Sequence, residues 1–171
     1  MAKIELVFGD ITKQKTDAIV KCANATLVAG GGTLDAAVHK AAGPKLMEDC
    51  RRIRYEEGGC PTGWAVVTDA YNLFCKKVIH TTGPMYLGGN NGEDKALASC
   101  YISCMNAAQK EGLTSIAFPC ISCGSFAYPP RAACKVAINA VQDTLPATPA
   151  IEKVVFVCID KENYSSYQEF L

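Results

Sequence analysis

The chain has 171 residues, enough to bury one substantial core, and we expect a single domain over 1–171. Lys plus Arg (17) equal Asp plus Glu (17), which excludes a global field drawing the protein to nucleic acid or to an anionic membrane, so any anionic ligand must be held by local geometry. No stretch approaches the roughly 18 apolar residues of a membrane span, and "MAKIELVFGDITK" has too short an apolar run for a secretion signal; the expected setting is soluble and cytoplasmic.

In chain order, "KIELVF" (3–8) and "AIVKC" (18–22) read as strands, and "LDAAVHKAAG" (34–43) and "PKLMEDCRRIRYEE" (44–57) as helices with apolar residues three and four apart. "WAVVT" (64–68) and "KKVIHTT" (76–82) follow as strands, and "MYLGGNNGED" (85–94) reads as a flexible surface loop. The remainder alternates a long helix (93–112), the strand "TSIAFP" (114–119), a proline-opened helix (129–145), the strand "EKVVFVCID" (152–160) and a last helix (161–171). Such alternation implies an α/β sheet of about six strands covered by helices on both faces.

In an open α/β sheet, ligands collect at the carboxyl ends of the strands. There the sequence places "NATLVAGGGTLDAAVH", where Gly30, Gly31 and Gly32 lead into a helix; this is either a tight turn or a cradle of N–H groups for a phosphate. The nucleotide fingerprints GxxxxGK[ST] and GxGxxG with its later acid are missing. A second loop, "CISCGSFAYPP", supplies Ser122, Gly124 and Ser125; either Gly124 is a plain turn residue or the two loops together clamp a diphosphate, and Phe126 and Tyr128 either pack or stack on a sugar or base. Asp10, directly after the first strand, is either a helix cap or an acceptor for an exocyclic amine. The ten cysteines lie scattered through apolar stretches and read mostly as buried thiols. Cys120 and Cys123 form a CxxC without a second pair, so neither a metal nor another cofactor is expected.

Taken jointly, "GDIT" (9–12), "DAIVKCAN" (17–24), "GGGTLDAAVHKAAGP" (30–44), "CPTGWAVVT" (60–68), "KKVIHTTGP" (76–84), "SIAFPCISCGSFAYP" (115–129) and "VVFVCIDKENYSSY" (154–167) resemble the macrodomain family, and are similar to its bacterial members of the MacroD type. The resemblance implies a three-layer α/β/α fold with a mixed, mostly parallel sheet, and ADP-ribose as ligand. It implies that Asp10 takes the adenine amine beside the Ile11 backbone. Gly30, Gly31, Gly32 and the loop of Ser122, Cys123, Gly124, Ser125 and Phe126 would hold the diphosphate with backbone N–H groups, Phe126 would pack against the distal ribose, Asn24 would hydrogen-bond its hydroxyls, and Asp35 would hold a catalytic water. The implied reaction is hydrolysis of mono-ADP-ribosyl esters on Glu or Asp side chains, or deacetylation of O-acetyl-ADP-ribose. ADP-ribosylated proteins would be partners; neither a membrane nor nucleic acid is expected.

The chain departs from the family pattern at three places. "KCAN" stands where "NAAN" is usual, so Lys21 can pair with Asp35, reach a phosphate, or sit solvated at a strand end. "GGGTLDA" carries one residue more than "GGGVDG", which would turn Asp35 by about 100° if the loop did not absorb it. Ala127 replaces a common glycine. Lys21 and the shifted Asp35 keep open a module that binds ADP-ribose without turnover; a phosphatase acting on ADP-ribose 1″-phosphate in the same cleft is a third reading, which no residue here favours. His39 reads as a packing residue of its helix face, and His80 as a strand residue.

Overall fold

The computed structural model describes residues 2–28 and 32–171. Six strands, β1 (Lys3–Phe8), β2 (Ala18–Cys22), β3 (Ala65–Asp69), β4 (Lys77–Thr81), β5 (Ser115–Phe118) and β6 (Lys153–Cys158), form one sheet in the order β1-β6-β5-β2-β4-β3. Every neighbouring pair is parallel except β3 with β4. The sheet is therefore mixed and mostly parallel; the strands expected at 3–8 and 18–22 coincide with β1 and β2, and the other four differ by one or two residues at their ends.

Among the described residues, five helices cover the sheet: α1 (Gly32–Ala42), α2 (Pro44–Glu57), α3 (Glu93–Lys110), α4 (Pro130–Thr144) and α5 (Lys161–Phe170). Strand alternation decides which residues meet which layer. Ala18 and Val20 of β2 and Val154 and Phe156 of β6 pack with Leu97, Tyr101 and Met105 of α3, Ala137 and Val141 of α4 and Tyr167 of α5. Ile19, Val78, Val155 and Val157 point the other way, onto Val38 of α1 and Leu46 of α2. Burial on both faces explains why the central strands read as nearly continuous apolar runs.

Local chemistry sets the ends. Pro44 and Pro130 open α2 and α4, where a missing N–H costs nothing. Gly58 ends α2 at φ 85°, the left-handed conformation that a helix C-terminus favours in glycine. Asp160 caps α5, its side chain accepting the Asn163 N–H at 2.8 Å. At the two sheet edges, Lys3, Glu5 and Lys153 on one side and Asp69 with Lys77 on the other present charge to solvent, which discourages pairing with another chain.

The segment before α3 corrects the expectation of a flexible loop. Glu93, only 3 % exposed, accepts backbone N–H groups from Leu87 at 2.8 Å, Gly89 at 2.9 Å and Asn91 at 2.6 Å. Those bonds, the Leu87 N–H foremost, outweigh burial and hold the Glu93 carboxyl at about 2. The loop is exposed, and it is tied to the helix that follows it.

Candidate functional site

The parallel strands β1, β6, β5, β2 and β4 all end at one rim, and the residues just beyond them enclose a cleft of about 320 Å3. Ile11 follows β1, Ala23 and Asn24 follow β2, Gly83 follows β4, and Pro119 and Cys120 follow β5. From β6 come Val157, Ile159 and Asp160. Gly32, Thr33 and Leu34, the first residues of α1, form one wall, and Ser122, Cys123, Gly124, Ser125 and Phe126 form another.

Among the described residues no Lys or Arg lines this cleft, so an anionic ligand there is met by backbone N–H groups and by neutral side chains such as Thr33, Ser122 and Ser125. Two features supply the N–H groups. The N-terminus of α1 brings N–H groups that have no partner within the helix, and the positive end of the helix dipole. In the second wall, Ser122 (φ 65°) and Ala127 (φ 60°) adopt left-handed backbone. The turn is closed by Ala127 N–H to Gly124 O at 2.9 Å and Tyr128 N–H to Ser122 O at 2.9 Å. The consecutive N–H groups of Gly124, Ser125 and Phe126 then have no intramolecular acceptor among the described residues. Ser122 Oγ, also on the cleft, is buried without a partner among them. Successive N–H groups in such a bend form an anion-binding concavity.

Asn24 lines the cleft, and its Oδ1 accepts the Thr26 hydroxyl at 2.8 Å. Behind it, Asp35 is 8 % exposed on the first turn of α1 and does not line the cleft. Its Oδ1 takes the ammonium of Lys21, a side chain with no exposure at all. His39 Nε2 lies 3.1 Å from Lys21 Nζ and 3.5 Å from Asp35 Oδ1. Burial, the largest influence on Asp35, pushes its carboxyl up, but the His39 contact and the Lys21 charge outweigh it and hold the group at about 2. Oδ2 has no partner among the described residues.

A family pattern described as Macro domain matches residues 20–137. The chain is 44% identical over 169 residues to an O-acetyl-ADP-ribose deacetylase of Enterobacter sp. (strain 638), covering 99% of this chain and 93% of that one. The chain belongs to the macrodomain family. Its fold superposes on the Oceanobacillus iheyensis macrodomain with ADP at a TM-score of 0.91, with 35% identity over 98% of this chain and 89% of the other. A Trypanosoma brucei macrodomain in complex with ADP-ribose aligns at 0.88, with 34% identity over 97% and 68% of the two chains.

In this macrodomain Ile11, Asn24, Gly32, Ser122, Cys123, Gly124, Ser125 and Phe126 share one cleft, whereas Asp10 and Asp35 flank it. Gly30 and Gly31 lie outside the described residues. Asp10 is the cap of a 3-10 turn at Ile11–Lys13, and its Oδ1 accepts the Thr12 N–H at 2.8 Å and hydroxyl at 2.7 Å. Lys21 points inward to Asp35 and is neither solvated nor on the cleft. His39 differs from the packing residue expected: its ring faces an ion pair. His80 is buried on β4, and Thr68 Oγ1 lies 2.8 Å from its Nε2. The CxxC thiols diverge, Cys120 toward Cys158 Sγ at 3.6 Å and Cys123 toward the Ile121 carbonyl at 3.6 Å. Among the described residues no group of three or more His, Cys, Asp or Glu is placed to hold a metal ion.

Sequence reasoning missed, as cleft residues, Cys22 at the end of β2 and Ala23 after it, Thr33 and Leu34, Gly83, Pro119 and Cys120, and Val157, Ile159, Asp160 and Asn163. A signal was present for several of them. Ala23, Gly83, Pro119 and Asp160 stand just after strands at the same rim as Asp10, and the rule that ligands gather at strand carboxyl ends covers them all.

Proposed function

We propose that this macrodomain binds ADP-ribose in the rim cleft and hydrolyses esters on its distal ribose, with O-acetyl-ADP-ribose as substrate and ADP-ribose and acetate as products. The observation that carries the reading is the run of unpaired N–H groups at Gly124, Ser125 and Phe126 facing the N-terminus of α1 across a cleft free of cationic side chains. A diphosphate is the ligand group that two such donors can share. The names of the relatives support the same reading, since an O-acetyl-ADP-ribose deacetylase stands at 44% identity over nearly the whole chain.

In this reading Asn24 Nδ2 donates to a hydroxyl of the distal ribose, and the Asp10 carboxylate accepts the adenine amine beside Ile11. Water attacks the acyl carbon, the ester C–O bond to the ribose breaks, and the proton of the water ends on the sugar hydroxyl or in solvent. Asp35 accepts a hydrogen bond from that water through Oδ2. With its carboxyl at about 2, it is a weak base that orients the water more than it removes a proton. Backbone N–H groups at the cleft wall stabilise the developing oxyanion. Esters of ADP-ribose on protein Glu or Asp side chains present the same acyl carbon, and we propose them as further substrates. Ten free cysteines fit a reducing, cytoplasmic setting.

The test is calorimetry of ADP-ribose with wild type and Asp35→Ala, followed by acetate release from O-acetyl-ADP-ribose. Binding by both, with release falling at least about a hundredfold in the variant, is the expected result. Binding without release by wild type would make the protein a reader, and absence of binding would overturn the ligand assignment.

A further inference from the structure

Lys21 stands in β2, where alternation puts it on the face of Ile19, toward α1 and α2. Its ammonium is wholly buried, and a buried ammonium persists only where its environment supplies an anion. The titratable groups around it come from every element packed there. Asp35 and His39 face it from α1, His80 lies directly opposite on β4, Cys50 comes from α2, Cys60 from the segment before β3, and Cys22 from β2 itself. Burial pushes all three thiols up, Cys22 to about 12, and burial holds His80 well below its ordinary value. Among the described residues, Asp35 is the one carboxylate in contact with the Lys21 ammonium.

The contact is one-sided. Lys21 takes Oδ1, and His39 lies against the same oxygen, so Oδ2 is left for a water. A neutral His39 ring accepts from the ammonium at Nε2, whereas a protonated ring donates to the carboxylate instead. The lysine therefore fixes three things at once: which oxygen of Asp35 is consumed, which protonation state of the carboxyl is favoured, and which way the first turn of α1 faces.

We propose that Lys21 is a positioning residue of the distal-ribose site, its buried ammonium taking one oxygen of Asp35 so that the carboxylate stays anionic and offers the other oxygen to water. The inference rests on the ester-hydrolysis reading above and adds a residue that touches no ligand. It makes the rate depend on a group outside the cleft, and it makes ADP-ribose affinity nearly independent of that group.

Lys21→Met, close in length and without charge, is the direct probe, in the full chain. Three measurements go together: the titration of the Asp35 carboxyl by carbon-13 NMR, kcat and KM for O-acetyl-ADP-ribose across the acid and neutral range, and ADP-ribose calorimetry. With the cation gone, burial raises the Asp35 carboxyl, so its titration and the acid limb of kcat should both move up by about one unit or more. At acid pH kcat should fall about tenfold or more, while KM and the ADP-ribose Kd stay within about threefold. An Asp35 titration that does not move, or a kcat that matches wild type at every pH, would overturn the proposal. Wild-type protein that binds no ADP-ribose would overturn the functional reading instead, and the Asp35 titration would still decide what Lys21 does to the carboxyl. Should Lys21→Met fail to fold, Lys21→Gln keeps a donor to the same oxygen without the charge, and the same shift is expected of it.

Discussion

Single residues in this cleft differ sharply in what they tolerate, and two glycines show it. A Cβ at Gly83 would lie 2.2 Å from Ser122 Oγ and 2.8 Å from Ile121 Cγ2, in the loop that carries the unpaired N–H groups of Gly124, Ser125 and Phe126. Gly83→Ala should displace that loop, lower stability by about 1 to 3 kcal/mol and weaken ADP-ribose binding, as read by thermal unfolding and calorimetry. At Gly124 the same atom meets nothing within 4 Å. Gly124→Ala should leave the melting temperature of the free protein unchanged and still weaken binding, because the approaching ligand is what the Cβ would meet. If Gly124→Ala bound as wild type, the diphosphate would not approach that backbone.

Lys21 marks the limit of legibility at this scale. Alternation along β2 already places it beside Ile19 on the face toward α1, so its burial could be read from the strand. Its partner could not, because the rotation of Asp35 depends on how the loop before α1 takes up one extra residue. The same dependence explains His39: one turn after Asp35 it shares that face, and its ring meets an ion pair in place of the apolar contacts expected.

At the scale of elements, the site is two helix ends and two loops hung on strand ends. β2, β4, β5 and β6 were recognisable from β-branched runs, and their common rim follows from parallel pairing. The loop before α3 was misread because its composition of Gly and Asn signals freedom, while its restraint comes from a carboxylate one helix start further on. Tyr86, at the base of that loop, donates its N–H to the Phe126 carbonyl at 2.9 Å, and its ring packs against Tyr128 at a tilt of 56°, with 4.8 Å between ring centroids. The clamp on one loop therefore braces the other. Glu93→Ala should speed hydrogen exchange at Leu87, Gly89 and Asn91 by about tenfold or more and raise the ADP-ribose Kd through the Tyr86 contact, with little change in the core amides. Unchanged exchange at those three positions would show that the loop holds itself.

For the whole molecule, acid should be the weak flank. The carboxyls of Asp35 and Glu93 are each held at about 2, against ordinary values of 3.8 and 4.5. Groups depressed in this way contribute stability that is fully present above those ordinary values and is lost as the pH falls toward 2. Circular dichroism in denaturant should show stability dropping across that window, with a shallower drop in Asp35→Asn and in Glu93→Gln. Equal slopes in wild type and both variants would mean that other carboxyls carry the acid transition. Breaking the buried pair has its own cost: removing one partner of such a pair destabilises by about 3 to 5 kcal/mol. The same ion pair therefore couples the fold to the proposed chemistry.

The cleft that carries no cationic side chain has a consequence for how the protein can change over generations. A site built from lysines and arginines is erased by single substitutions, whereas an N–H group belongs to nearly every amino acid. At Gly124, Ser125 and Phe126 only proline removes the donor outright; other replacements act through bulk or loop shape. On the proposed reading, side chains around the diphosphate are thus free to drift as long as the bend at Ser122 and Ala127 is kept. Recognition of the anion is inherited as a curve of the backbone, and the spelling of the loop is secondary to it.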